Sequence, residues 1–203
     1  MAAGKRQLKV IQKLILATHN PGKVQELQGL LEPLGITVLS AKDFDLKEPI
    51  EDGTTFEDNA LIKAKAVYTA TGIPALADDS GLCVECLDGR PGVHSADWSG
   101  PQKDSKVAIQ RLEKEVGDSL NLNAKFVTVL AFQKDDGAPL FFKGECEGRL
   151  TFPPRGDQNF GFDPVFIPQG ETRTFAEMPK AEKSRISHRG KALKHFLEYL
   201  QNG

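Results

Sequence analysis

The chain has 203 residues and a formal charge of −2, with 39% apolar and 27% charged residues. That length and balance suit a globular fold with a substantial core and exclude a disordered chain. The near-neutral total argues against a nucleic-acid binder that works by wholesale phosphate neutralisation, and leaves room for a small anion held by a few local cations.

The first 13 residues are short and basic and are expected to form a flexible N-terminus. The apolar run from Leu14 to Ala17 is too brief for a signal segment or a membrane span, and no long apolar stretch follows. A cytoplasmic protein without a membrane partner is therefore expected. The three cysteines, Cys83, Cys86 and Cys146, are too few and odd in number for a secreted disulfide scaffold.

In chain order, Leu14 to Ala17 reads as a strand, and Val24 to Leu34 as an amphipathic helix stopped by Gly35. Ile36 to Leu39 is a second strand, and Phe56 to Thr71 a second helix closed by Gly72. A short buried strand, Ala75 to Ala77, is followed by a turn and then a strand from Leu82 to Leu87. That strand sets Cys83 and Cys86 on opposite faces, so they read as buried thiols rather than a shared metal site. Asp104 to Val116 is a third helix. Lys125 to Phe132 and Leu140 to Leu150 form a hairpin around Asp135-Asp136-Gly137. Gly190 to Leu200 is a closing amphipathic helix. Strands alternating with helices and then a long hairpin predict an α/β fold with a mixed sheet.

Five segments carry chemistry. In Thr18-His19-Asn20-Pro21-Gly22-Lys23, Asn20 suits an N-cap and Pro21 the first helical position. Lys23 then faces the positive end of its own helix dipole, a conflict that an anion would resolve. The spacing is not that of a Walker A loop. In Ala77-Asp78-Asp79-Ser80-Gly81 two adjacent carboxylates read as a turn after a strand, where a divalent cation such as Mg²⁺ would relieve their repulsion. Around Glu51-Asp52-Gly53-Thr54-Thr55, Thr55 can cap a helix on which Asn59 and Lys63 share one face. In Asn159-Phe160-Gly161-Phe162-Asp163-Pro164, aromatics around glycine suit either a base-stacking loop or a loop anchored in the core. From Arg173 to Lys194 there are seven Lys or Arg against two Glu. Lys183, Ser187, His188 and Arg189 in this stretch could present donors to phosphates and a base.

Taken in order, the five segments resemble the inosine triphosphate pyrophosphatase family from Leu16 to Leu200. The resemblance implies an elongated mixed sheet flanked by helices, two lobes with an active-site cleft between them, one ITPase-like domain over 1–203, and a homodimer. It implies Mg²⁺-dependent hydrolysis of ITP, dITP and XTP to the monophosphate and pyrophosphate, with no nucleic-acid partner. Carried across position by position, Thr18, Asn20, Lys23 and Lys63 hold the triphosphate, within the loop that also contains His19, Pro21 and Gly22. Asp79 is the catalytic carboxylate and a metal ligand, with Asp78 beside it, Ser80 touching substrate, and Glu51 (or Glu48) completing the metal site. Phe160, Gly161, Phe162 and Asp163 frame the base, and Lys183, His188 and Arg189 close over base and phosphates. His19 departs from the glycine found there in many members. The alternatives on the residues alone are a related pyrophosphatase for modified pyrimidine nucleotides and a non-catalytic nucleotide- or RNA-binding module.

Overall fold

The computed structural model describes residues 11–157 and 160–202. The strands are β1 (Lys13–Leu16), β2 (Thr37–Ser40), β3 (Ala75–Val84), β4 (Asn123–Gln133), β5 (Leu140–Leu150) and β6 (Phe166–Pro168). The helices are α1 (Pro21–Leu31), α2 (Phe56–Thr71), α3 (Ser105–Val116), α4 (Lys180–Ile186) and α5 (His188–Asn202). All six strands join one mixed sheet in the order β2-β1-β3-β4-β5-β6.

β1 is parallel to β2 on one side and to β3 on the other, and the remaining pairings are antiparallel. The chain leaves β1 through α1 to reach β2, then returns through α2 to the opposite side of β1. Such a reversal of strand order opens a crevice at the carboxyl ends of the strands. β1 pairs with β3 only at Ile15–Ala75 and Leu16–Leu76. β3 therefore runs on beyond the end of β1, past the N-terminus of α1.

The two helices pack on opposite faces. Leu27 and Leu31 of α1 join Ala192, Leu193 and Phe196 of α5 over Leu14, Leu16, Leu76, Leu130 and Phe132. Ala60 and Ala64 of α2 cover Ala77, Val129 and Ala131 on the other face. A further cluster joins α3 to Leu82, Val84, Phe126, Leu150, Phe162, Phe166 and Phe175. Side chains alternate along a strand, so Leu76 and Leu82 share one face of β3, and Leu130 and Phe126 share that face of β4. The two large clusters thus form two lobes on one face. Between them the strands carry Asp78 and Ser80 on β3 and Thr128 on β4.

Several expectations are corrected. Ala77 to Gly81 is not a turn: β3 is one strand of 10 residues, paired with β4 from Ala75 to Val84. Ladder pairing along that whole length overrides the local turn chemistry of Asp, Ser and Gly. β3 stops at Val84, and Cys86 lies in a 3₁₀ turn, Glu85–Leu87; all three cysteines are free thiols, with only Cys146 buried. α1 begins at Pro21 and yields to a 3₁₀ turn at Glu32–Leu34, where Pro33 cannot continue the α-helical bonding. Lys13, expected in the flexible terminus, pairs with Thr37 in the sheet, and Ile11 packs on the core. α4 is an element that the sequence pattern does not predict, and α5 starts at His188 rather than Gly190.

Gly81 is glycine because of a neighbour, not a turn. A Cβ there would stand 2.1 Å from the Gly92 carbonyl oxygen. Gly81→Ala should therefore cost about 1–3 kcal/mol of stability in urea unfolding, as overpacking does. An unchanged midpoint would mean that the segment at Gly92 yields freely.

Candidate active site

The loop after β1 is held by its own side chains. Asn20 caps α1, its Oδ1 accepting from Gly22 N at 2.9 Å and Lys23 N at 3.3 Å, with Pro21 in the first turn. Thr18 Oγ1 accepts from Asn20 N at 3.2 Å, and Ser40 Oγ donates to Thr18 O at 2.9 Å. His19 points away from the loop: one ring nitrogen meets Leu46 O at 3.0 Å and the other faces Glu48 at 3.2 Å. Its side chain thus serves the loop's position, and Glu48 is drawn to His19.

Lys23 projects from the first turn onto Asp78, with Nζ to Oδ2 at 2.7 Å. The anion that resolves its conflict with the helix dipole is thus, in this structure, a carboxylate 55 residues away. Arg189 Nη1 lies 3.0 Å from the same oxygen, though not aligned as a hydrogen bond, while its Nε donates to Glu26 of α1 at 3.0 Å. Burial works against the charge of Asp78, but Lys23 and Arg189 outweigh it and hold its pKa far below the usual carboxylate range. Asp78 is a counter-ion that joins α1, β3 and α5.

Asp79 points to the other face, as the period of the strand requires. The two carboxylates therefore do not face each other on one side of the strand. Lys63 of α2 lies 3.9 Å from Asp79 Oδ1 and donates to Glu51 Oε2 at 2.6 Å. Asn59, four residues before Lys63, is buried on the same helix face. Asp79 Oδ1 accepts from Ser80 N at 3.0 Å, whereas Oδ2 is buried with no hydrogen-bond partner. Burial, reinforced by Glu51 and resisted by Lys63, raises the Asp79 pKa to about 6.

That orphaned oxygen tests the fit of a cation. Among the described residues no group of three or more His, Cys, Asp or Glu side chains forms a protein-made metal cage. Asp79 and Glu51, bridged by Lys63, do suit a hydrated Mg²⁺, which takes one or two carboxylates and fills its shell with water and phosphate oxygens.

The residues expected to frame a base lie in the second lobe. Phe160 is 70% exposed, a free aromatic face, and Lys183 Nζ lies 6.0 Å from its ring centroid. Gly161 N donates to Ser105 Oγ at 3.0 Å, tying the loop to the start of α3. Phe162 instead enters the core, edge-on to Trp98, so one aromatic of the pair anchors and the other stays open. Asp163 is buried and forms a short ion pair with Lys183. Burial raises its pKa and Lys183 opposes that rise. Asn159 lies outside the described residues. His188 stacks on Phe126, with centroids 4.7 Å apart and planes 10° from parallel. Burial, aided by Lys183 and Arg189, lowers its pKa to about 3, so the ring is neutral and its Nδ1 has no partner.

Ser80 Oγ and Thr128 Oγ1 share a hydrogen bond of 2.8 Å across β3 and β4. Thr128 and Glu26 were not anticipated. Glu26 lies three residues after Lys23 on α1, a spacing that could have drawn notice. Nothing local in the β4 sequence marks Thr128.

Two measurements follow from this electrostatics. Lys23→Ala should destabilise the protein by about 1–3 kcal/mol at pH 7, because buried Asp78 keeps only Arg189. Chemical unfolding that shows no loss would mean Asp78 is solvated after all. For His188 the folded pKa lies below the unfolded value, so the unfolded chain binds the extra proton between about pH 6.5 and 3. The wild type should therefore lose stability relative to His188→Phe as pH falls through that window, and match it best above pH 7. Parallel pH dependences for the two proteins would show that the ring is not buried neutral.

The Ham1 family model matches residues 14–199. A dITP/XTP pyrophosphatase of Gluconobacter oxydans is 53% identical over 192 residues, covering 95% of this chain and 92% of the relative. One from Thermus thermophilus is 47% identical, covering 94% and 93%. A HAM1 protein from Coxiella burnetii has a solved structure that superposes with a TM-score of 0.91 at 37% identity, covering 94% of this chain and 99% of that one. The Staphylococcus aureus Ham1 protein gives 0.89 at 30% identity, covering 94% and 98%. The same sheet and the same flanking helices, matched along nearly the whole sequence, make this chain a member of the Ham1 family.

Proposed function

We propose that the chain hydrolyses deaminated purine nucleoside triphosphates (ITP, dITP and XTP) to the monophosphate and pyrophosphate, with Mg²⁺ at Asp79 and Glu51. The observation that carries this reading is the buried, unpartnered Asp79 Oδ2 beside Lys63, on a strand whose preceding Asp78 holds Lys23 and Arg189. The names of the curated relatives, dITP/XTP pyrophosphatases, support the substrate class. Magnesium as the ion, a homodimer and a cytosolic setting belong to the same proposal.

The chain's own groups supply most of the chemistry. Thr18, Asn20 and the positive end of the α1 dipole receive phosphate oxygens, with Lys23 and Lys63 supplying positive charge. Water attacks the α-phosphorus, the bond to the bridging oxygen breaks, and pyrophosphate leaves with the electron pair. Asp79, with a pKa near 6, is poised to accept the proton of that water near neutral pH. A bound Mg²⁺ would neutralise phosphate charge and polarise the reacting oxygens. Phe160 offers a stacking face to the base, while Lys183, His188 and Arg189 offer donors between base and phosphates. A site of donors accepts the 6-oxo group of hypoxanthine or xanthine and leaves groups unpaired against the amine of adenine.

Asp79→Asn separates function from folding. It should lower kcat for ITP by at least about a hundredfold. It should also keep or raise the melting temperature, since the raised pKa means that the charge costs stability in the folded state at pH 7. Wild-type turnover by this variant, or undiminished wild-type turnover in excess EDTA, would overturn the assignment.

A further inference from the structure

Asn59 takes no part in the chemistry above, yet it is only 4% exposed. Its backbone N–H bonds Thr55 O at 3.2 Å, as expected in the first turn of α2. Its side chain turns the other way: Oδ1 accepts from Gly53 N at 2.8 Å. The approach is close. A Cβ on Gly53 would stand 2.6 Å from Asn59 Oδ1 and 2.6 Å from Asp58 Cβ. Only glycine lets the backbone press onto the helix at this point.

The segment held in this way has no regular secondary structure from 46 to 53. It carries Glu51, two residues before Gly53, whose carboxylate meets Lys63 at 2.6 Å. Lys63 in turn faces Asp79 at 3.9 Å. Asn59 and Lys63, one helical turn apart, therefore grip the same loop, Asn59 by its backbone and Lys63 by its side chain. A helix is rigid and a loop is not, so the two grips set where the Glu51 carboxylate stands relative to Asp79.

We propose that Asn59 is a positioning residue for Glu51: by binding Gly53 N–H it fixes the 46–53 segment so that the Glu51 carboxylate faces Asp79 across Lys63. This role rests on the reading of Glu51 as a cation ligand. A polar side chain kept only for stability would change the unfolding midpoint and leave the balance between kcat and KM alone. A positioning role changes kcat, and does so only while Glu51 is present.

The test compares Asn59→Ala, Glu51→Gln and the double variant, with turnover of ITP measured at raised enzyme concentration and amide hydrogen exchange measured on the ligand-free proteins. Asn59→Ala should lower kcat about ten- to a hundredfold, the penalty of a misplaced group, with KM within about threefold. In the Glu51→Gln background the same substitution should add no more than about twofold. Exchange at residues 51–55 should quicken by at least about tenfold, while the last turns of α2 keep their protection. Additive losses in the double variant, or unchanged exchange at 51–55, would overturn the role of Asn59 and leave the reading of Glu51 standing. Full turnover by Glu51→Gln alone would overturn both.

Discussion

β3 extends past the carboxyl end of β1 while staying paired with β4, and the arrangement of the site depends on that overhang. Beyond Leu76 the strand lies beside the N-terminus of α1. Its consecutive side chains still alternate between faces, so Asp78 and Asp79 enter two different environments less than 4 Å apart along the backbone. The reversal of strand order around β1 sends α1 to one face and α2 to the other. Each helix then delivers one lysine to one aspartate.

The two aspartates end in opposite electrostatic states for that reason. Asp78 is the more buried, but Lys23 and Arg189 against it outweigh the cost of burying its charge. Asp79 has a lysine at 3.9 Å that is committed to Glu51 at 2.6 Å, so its charge is only half compensated. The fixed pairs tie Asp78 to α1 and α5, while Asp79 is left under-compensated. Between the lobes, the apolar clusters over Leu76 and Leu82 leave Asp78, Ser80 and Thr128 as the polar floor.

What local chemistry dictates was legible in the sequence. Asn20 and Thr55 cap α1 and α2 as their types and positions suggest, and the β4–β5 hairpin follows from two long β runs around Asp135 to Gly137. What depends on distant partners was not. Asp78-Asp79-Ser80-Gly81 has the composition of a turn, and only its ten-residue register with β4 makes it a strand. The ion pair of Lys23 spans 55 residues and leaves no local trace. The seven residues of α4 are too few for a periodicity, and the three of β6 too few for an alternation. The different surroundings of Glu51 and Glu48, one turned toward Lys63 and the other toward His19, also depend on distant partners.

The division of labour across β3 is open to direct observation. The protein would be crystallised with Mn²⁺ and a non-hydrolysable ITP analogue, and the ion located by its anomalous scattering. The ion is expected on the α2 face, against Asp79 and Glu51, with Asp78 outside its coordination shell. An ion bridging Asp78 and Asp79 would contradict that division.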